Sequence, residues 1–258
     1  MEGNLFFLYR KLKLYNMRKL KNIIRKIIFT FIKPPVVVIY NSNSQAGEDK
    51  VVDYLFSSMG IKQISYIDIG ANDPVGCNNT YLFYQKGNKG VLVEPDFDFY
   101  KLIKDVRPQD LVINAAISDE ANKEANFYIF DLPALNTLSA EEASVRSKSG
   151  AYKLIETRKI KLITVENIIK EYLNNGLPDL ISLDVEGLDY LILDSFDFEK
   201  YPVPVWIVET CEYSEKHIKP KVTSIIDLML SKGYFIFADT YINTIFVSST
   251  WFENYNAK

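Results

Sequence analysis

Cysteine and histidine are scarce: Cys77, Cys211 and His217 are all that 258 residues contain. Two cysteines cannot build a disulfide framework, so they read as structural thiols and the chain as a protein of the reducing cytoplasm. No apolar run reaches the roughly 18 residues that would mark a membrane-spanning helix. No uncharged core with a small-residue cleavage site follows a basic start, so no secretory signal is expected. Internal repeats and low-complexity segments are missing too. Glycine is missing at two telling positions. YIDIGANDPVG (66–76) looks like a strand delivering a loop to a small molecule. A dinucleotide fingerprint counted from Gly70 needs glycines at 72 and 75, and those positions hold Asn72 and Val75. The loop therefore lacks the bare backbone that a pyrophosphate requires.

What is present suits one large core. Hydrophobic residues make up 48 % of the chain and charged residues 24 %, ordinary for a globular protein. The formal net charge of −3 hides an asymmetry. Residues 1–33 carry nine Lys/Arg against the single acid Glu2, leaving 21 basic and 32 acidic residues for the rest. Within this arm Met17, Leu20, Ile24, Ile27, Ile28 and Phe31 recur at helical spacing, with Arg18, Lys21 and Arg25 on another face. Pro34 and Pro35 end the helix. Residues 1–35 thus read as a basic amphipathic arm. It is suited to an anionic membrane surface, to pairing with a second subunit, or to packing on its own domain. A nucleic-acid partner is not expected, because the remaining chain is acidic and the arm's other face is greasy.

From residue 36 strands and helices alternate. Strands are expected at 36–40, 65–69, 90–94, 111–116, 159–163, 179–184, 205–209, 234–239 and 243–248. A helix is expected to begin after a polar turn with Ser42 or Ser44 as N-cap, and others lie between the strands. The stretch 120–157 is polar, with a short strand near 127–130, and reads as a lid insertion. This pattern predicts an α/β fold with a doubly wound, mostly parallel sheet. The last two strands are too close for a crossover, so the final strand is antiparallel.

In such a sheet ligands bind beyond the carboxyl ends of the strands. Those positions hold Asp68, Gly70, Ala71, Asn72 and Asp73; then Glu94 and Pro95; then Ala116 and Ser118; then Asp184 and Glu186; then Glu209. Glu94 stands where a carboxylate accepts both hydroxyls of a ribose. Asp68 or Asp73 suits an ammonium. A phosphate-free adenosine joined to an amino acid is S-adenosylmethionine. Asp184, Glu186 and Glu209 are the candidates for orienting an acceptor and taking its proton, and His217 is a further candidate base. No dense carboxylate cluster is visible, and no metal is expected.

At these residues the chain resembles the FkbM-type S-adenosylmethionine-dependent methyltransferases. SQAGED (44–49), YIDIGANDPVGCNNTYLFY (66–84), VLVEPD (91–96), RPQD (107–110), NAAISD (114–119), NTLS (136–139), LISLDVEGLDYLILDSFDF (180–198), VPVWIVET (203–210) and NTIFVS (243–248) carry the similarity in order. Two positions depart from the family: Ser182 replaces a usual lysine, and Asp189 a longer glutamate. The resemblance implies a Rossmann-like class I methyltransferase sheet. It also implies methyl transfer to a hydroxyl of a sugar or nucleotide-linked sugar in surface polysaccharide assembly. The competing readings are a nicotinamide-dependent sugar oxidoreductase or epimerase, and a non-catalytic membrane-associated protein of the same fold. Removing residues 1–33 is expected to weaken co-sedimentation with anionic liposomes; unchanged binding would assign the arm to packing or subunit pairing.

Overall fold

The computed structural model describes residues 41–174, 176–185, 187–211 and 220–256, except the side chains of Ala134, Ser149 and Asn256. The amphipathic arm and the expected strand at 36–40 lie outside them. The described part falls within one unit, Ser42–Lys258, apart from Asn41.

Seven strands form the main sheet: β1 (Ser65–Ile69), β2 (Lys89–Val93), β3 (Leu111–Ile113), β7 (Leu180–Leu183), β8 (Val205–Glu209), β9 (Tyr234–Asp239) and β10 (Asn243–Ser248). Their order is β3-β2-β1-β7-β8-β10-β9. The first five run parallel, and β10 runs antiparallel to both β8 and β9. The order reverses between β1 and β7, which opens a crevice at their carboxyl ends. Central strands such as LISL and VWIVE are apolar almost throughout because both faces are covered. Tyr66, Leu92, Leu180 and Ile207 face helices 48–58, 81–85, 97–106 and 249–256. Ile67, Val93, Ile181 and Trp206 face helices 165–172, 189–195 and 223–231.

Three differences from the sequence expectation have physical causes. The first helix starts at Glu48, with Gly47 in the left-handed region as its N-cap. Ser42 and Ser44 instead donate hydrogen bonds to the Asp49 carboxylate, at 2.6 and 3.0 Å. The expected strand 111–116 is split, because Ala116–Ile117 (β4) leaves the main sheet and pairs with β6 (Leu154–Ile163). The stretch 120–157 contains β5 (Glu124–Phe130), paired antiparallel with β6 along its length, and a helix over Ala140–Ser149. Polar faces on that hairpin and helix masked their periodicity. Phe127, Ile160 and Leu162 close a small core beneath the hairpin, and Phe130, Leu135 and Ala143 close another beneath the helix.

Candidate active site

A cavity of about 590 Å³ opens at the strand-order reversal, within the size range of small-molecule sites. Gly70, Asn72 and Asp73 line it from the loop after β1, Glu94 and Pro95 from the end of β2, and Ala115–Ile117 from β4 and the residue before it. Asp184 and Glu209 line it from the ends of β7 and β8. Phe127, Leu135 and Asn136 of the insertion form a further wall, and Gln45 comes from the loop before the first helix. The insertion and Gln45 are wall elements that reading strand ends alone does not find. SQAGED and NTLS are their only signals in sequence.

The loop after β1 takes its shape from close backbone approach. Gly70 has φ +77°, and a Cβ there would stand 1.8 Å from the Asp184 carbonyl oxygen. Only glycine allows β1 and β7 to lie this close at their ends. Asn72 follows at φ +47°, a conformation that asparagine tolerates better than most residues. Its N–H donates to Glu94 Oε2 at 2.8 Å, and the Asp96 N–H donates to Oε1 at 2.7 Å. Glu94 is buried, which pushes its carboxyl up to about 7 against the opposing effect of those two N–H bonds. A carboxylate has about four acceptor positions, so both oxygens retain capacity toward the cavity.

The rim after β7 is ordered by Asp189. Its carboxylate accepts the N–H bonds of Val185, at 3.2 Å, and Gly187, at 3.3 Å. Burial, with the charge of Asp184 close by, pushes it up to about 8. The loop carrying Gln45 is tied down through Glu48, which accepts from the Thr240 hydroxyl at 2.6 Å and the Asn243 amide at 2.9 Å. Burial acts to raise the Glu48 carboxyl, but these bonds and the Ala46 N–H outweigh it and hold it below the usual range. Asn136 latches the insertion to the sheet by donating to Asp96 Oδ2 at 3.0 Å.

Several expected site residues lie elsewhere. Asp68 is buried beneath the loop and off the cavity wall, accepting from the Thr80 hydroxyl at 2.6 Å and the Asn78 amide at 3.1 Å. Ala71 packs into the core. The Ser118 hydroxyl donates to Asp119, away from the wall. Asp73 reaches the wall, but its Oδ1 accepts the Val75 and Gly76 N–H bonds of its own turn. A single carboxylate next to backbone donors folds onto them before it can reach a ligand. Ser182, at the departure from the family pattern, is buried, bonded to Asn79 and off the wall. Glu186 and His217 lie outside the described residues. Among the described residues no group of three or more His, Cys, Asp or Glu side chains could hold a metal.

The raised carboxyls set a pH dependence of stability. Asp189 and Glu94 bind their protons more tightly folded than unfolded, where values near 4 hold. Stability is therefore expected to fall as pH rises from about 4 towards 8 and to level off above. Asp189→Asn should lower the melting temperature at acidic pH yet flatten its decline between pH 5 and 8. An unchanged slope would show that Asp189 titrates normally.

The FkbM methyltransferase domain matches residues 68–236, about two thirds of the chain. A search of curated proteins returned no match. Among solved structures, a TehB-like methyltransferase from Corynebacterium glutamicum is 8 % identical, with TM-score 0.41, covering 91 % of this chain and 100 % of that one. An O-methyltransferase from Bacillus cereus is 11 % identical, with TM-score 0.38 and coverages of 88 % and 97 %. An N1-methyltransferase of 1,6-didemethyltoxoflavin from Burkholderia thailandensis is 9 % identical, with TM-score 0.38 and coverages of 89 % and 88 %. The family match begins at Asp68 and takes in the glycine turn, the acid ending β2 and the rim after β7. With those parts assembled around one cavity, the chain belongs to the FkbM methyltransferase family and uses S-adenosylmethionine as its methyl donor.

Proposed function

We propose that this enzyme methylates a hydroxyl of a sugar or nucleotide-linked sugar, in the assembly of a surface polysaccharide. The supporting observation is the polar set Gln45, Asp184 and Glu209 on the cavity wall. Such groups hydrogen-bond hydroxyls, and the carboxylates can take a proton from one.

The remaining wall fits the methyl donor. Val93, Pro95, Ala116, Ile117 and Phe127 offer an apolar lining suited to an adenine ring. Glu94, at the end of β2, suits the ribose diol. When bound, S-adenosylmethionine supplies a methyl group already activated on a sulfonium. The chain then has to align the acceptor and manage its proton. Asp184 and Glu209, at the ends of neighbouring strands, hold the acceptor hydroxyl, and one of them receives its proton. A positioned base of this kind contributes typically about 10²–10⁴-fold.

The test follows S-adenosylhomocysteine release from the full chain with a panel of sugars, nucleotide-linked sugars, amines and carbon acids. Turnover is expected with a sugar hydroxyl, and Asp184→Asn or Glu209→Gln should lower it about 100-fold or more. Turnover confined to amines or carbon acids would overturn the reading. Glu94 generates a separate expectation. Only its ionised form accepts both ribose hydroxyls, and burial pushes it up to about 7. Affinity for S-adenosylhomocysteine should therefore weaken about tenfold per pH unit below roughly 7 and be level above. Glu94→Gln should bind weakly with a flat profile. A flat profile in the unaltered protein would remove Glu94 from the ribose.

A further inference from the structure

The RPQD motif (107–110) lies off the cavity wall, yet it holds a fully buried cation. Arg107 caps the helix Phe97–Val106, its N–H donating to the Ile103 carbonyl at 2.7 Å. Its guanidinium sits among three tyrosine rings, 5.7 Å from Tyr66, 5.9 Å from Tyr81 and 5.2 Å from Tyr84. With no water to turn to, its donors must find acceptors in the protein. Nε donates to Asp110 Oδ2 at 2.8 Å, and Nη2 to the Tyr66 hydroxyl at 3.1 Å. The Tyr66 hydroxyl and the Gly90 N–H also donate to Asp110, which balances the charge. The other bonds reach towards the cofactor loop: Nη1 donates to Asn78 Oδ1 at 3.0 Å, and Nη2 to Thr80 Oγ1 at 3.0 Å.

Asn78 converts this into loop geometry. Its oxygen accepts from Arg107 and from the N–H groups of Thr80 and Tyr81, so its amide nitrogen must face the other way. There it donates to Asp68 Oδ2 at 3.1 Å and to the carbonyls of Ala71 and Asp73, both at 3.2 Å. Those carbonyls bracket Asn72, the left-handed residue whose N–H meets Glu94. Thr80 accepts from Arg107 and donates to the same Asp68 oxygen at 2.6 Å. Asn72, Asp73, Gly76 and Cys77, all on the cavity wall, lie between these anchors.

We propose that Arg107 is a positioning residue for methyl-donor binding: it holds the 70–80 loop in its binding shape from beneath, through Asn78 and Thr80, without touching the cavity. A lysine could still pair with Asp110 but could not present a planar fork to three separate acceptors. The inference rests on the methyl donor, not on the sugar acceptor.

The experiment measures S-adenosylhomocysteine binding to the full chain by calorimetry, beside melting temperature. Arg107→Met is expected to weaken binding roughly tenfold or more, the usual scale for losing a charged hydrogen bond. Arg107→Lys should recover most of the melting temperature but little of the affinity. Met229→Ala is the stability control. Met229 is fully buried on the opposite face of the sheet, and its truncation should lower the melting temperature while leaving affinity unchanged. The double variant of Arg107→Met with Asn78→Ala should bind no more weakly than Asn78→Ala, since both act through one loop. Full affinity in Arg107→Met and Arg107→Lys would overturn the proposal. So would an affinity loss in Met229→Ala equal to that of the Arg107 variants at an equal drop in melting temperature. If Arg107→Met does not fold, Thr80→Val decides: weaker binding supports the proposal and unchanged binding overturns it. Each outcome leaves the sugar reading untouched, because no acceptor enters the measurement.

Discussion

A cation sealed inside a protein is tolerated only when its charge is balanced and its N–H bonds are matched. Arg107 meets that condition with Asp110, Tyr66, Asn78 and Thr80, drawn from β1, the loop after it, the N-cap of the helix at 81–85 and the turn before β3. Its presence therefore constrains how these elements sit together. The chain between them has little freedom, so the backbone that faces the cavity inherits its shape from a network on its underside. Asp68 belongs to that network and not to the wall. Burial pushes its carboxyl up while Arg107 and the bonds from Thr80 and Asn78 pull it back. The acid most prominent in the sequence motif thus reaches the ligand only through the loop it supports.

A second constraint lies between strands. Gly70 and Asp184 approach so closely that no side chain fits between them. That contact, at the strand-order reversal, brings the loop after β1 and the acidic rim to one cavity. Glu94 and Asp189 then each spend carboxylate oxygens on the backbone N–H groups of these loops. Glu94, at the end of β2, is part scaffold and part cavity wall, while Asp189, opening the helix at 189–195, lies off the wall; burial shifts both toward neutrality. The insertion completes the enclosure from the far side, with Asn136 reaching back to the Asp96 that also caps the helix at 97–106.

Much of this was legible in residue order. Period-two and continuous apolar runs located the seven main strands, and the short DTYIN connection implied the antiparallel end. Strand-end positions gathered Gly70, Asn72, Glu94, Asp184 and Glu209 as candidates, and these line the cavity. The helix at 140–149 was not legible, since exposed Glu141 and Lys148 and a buried Arg146 leave it little apolar face. Phe127 was not legible either, because nothing local marks a residue as wall when its partners are far along the chain.

By itself the sequence determined the element types, their alternation and the chemistry at each strand end, because these follow from local periodicity and side-chain identity. It also determined that no phosphate-binding glycine pattern follows β1. Only the tertiary structure decided which carboxylates reach the cavity and which are consumed within the fold. Asp68 and Glu94 both end a strand as buried acids. One hydrogen-bonds beneath the loop and the other lines the cavity. That difference depends on the donors packed against each, contributed by Asn78 and Thr80, 10 and 12 positions away, for Asp68 and by Asn72 and Asp96 for Glu94. No local pattern encodes such pairings, because they arise only when the strands have assembled and buried polar groups must find partners.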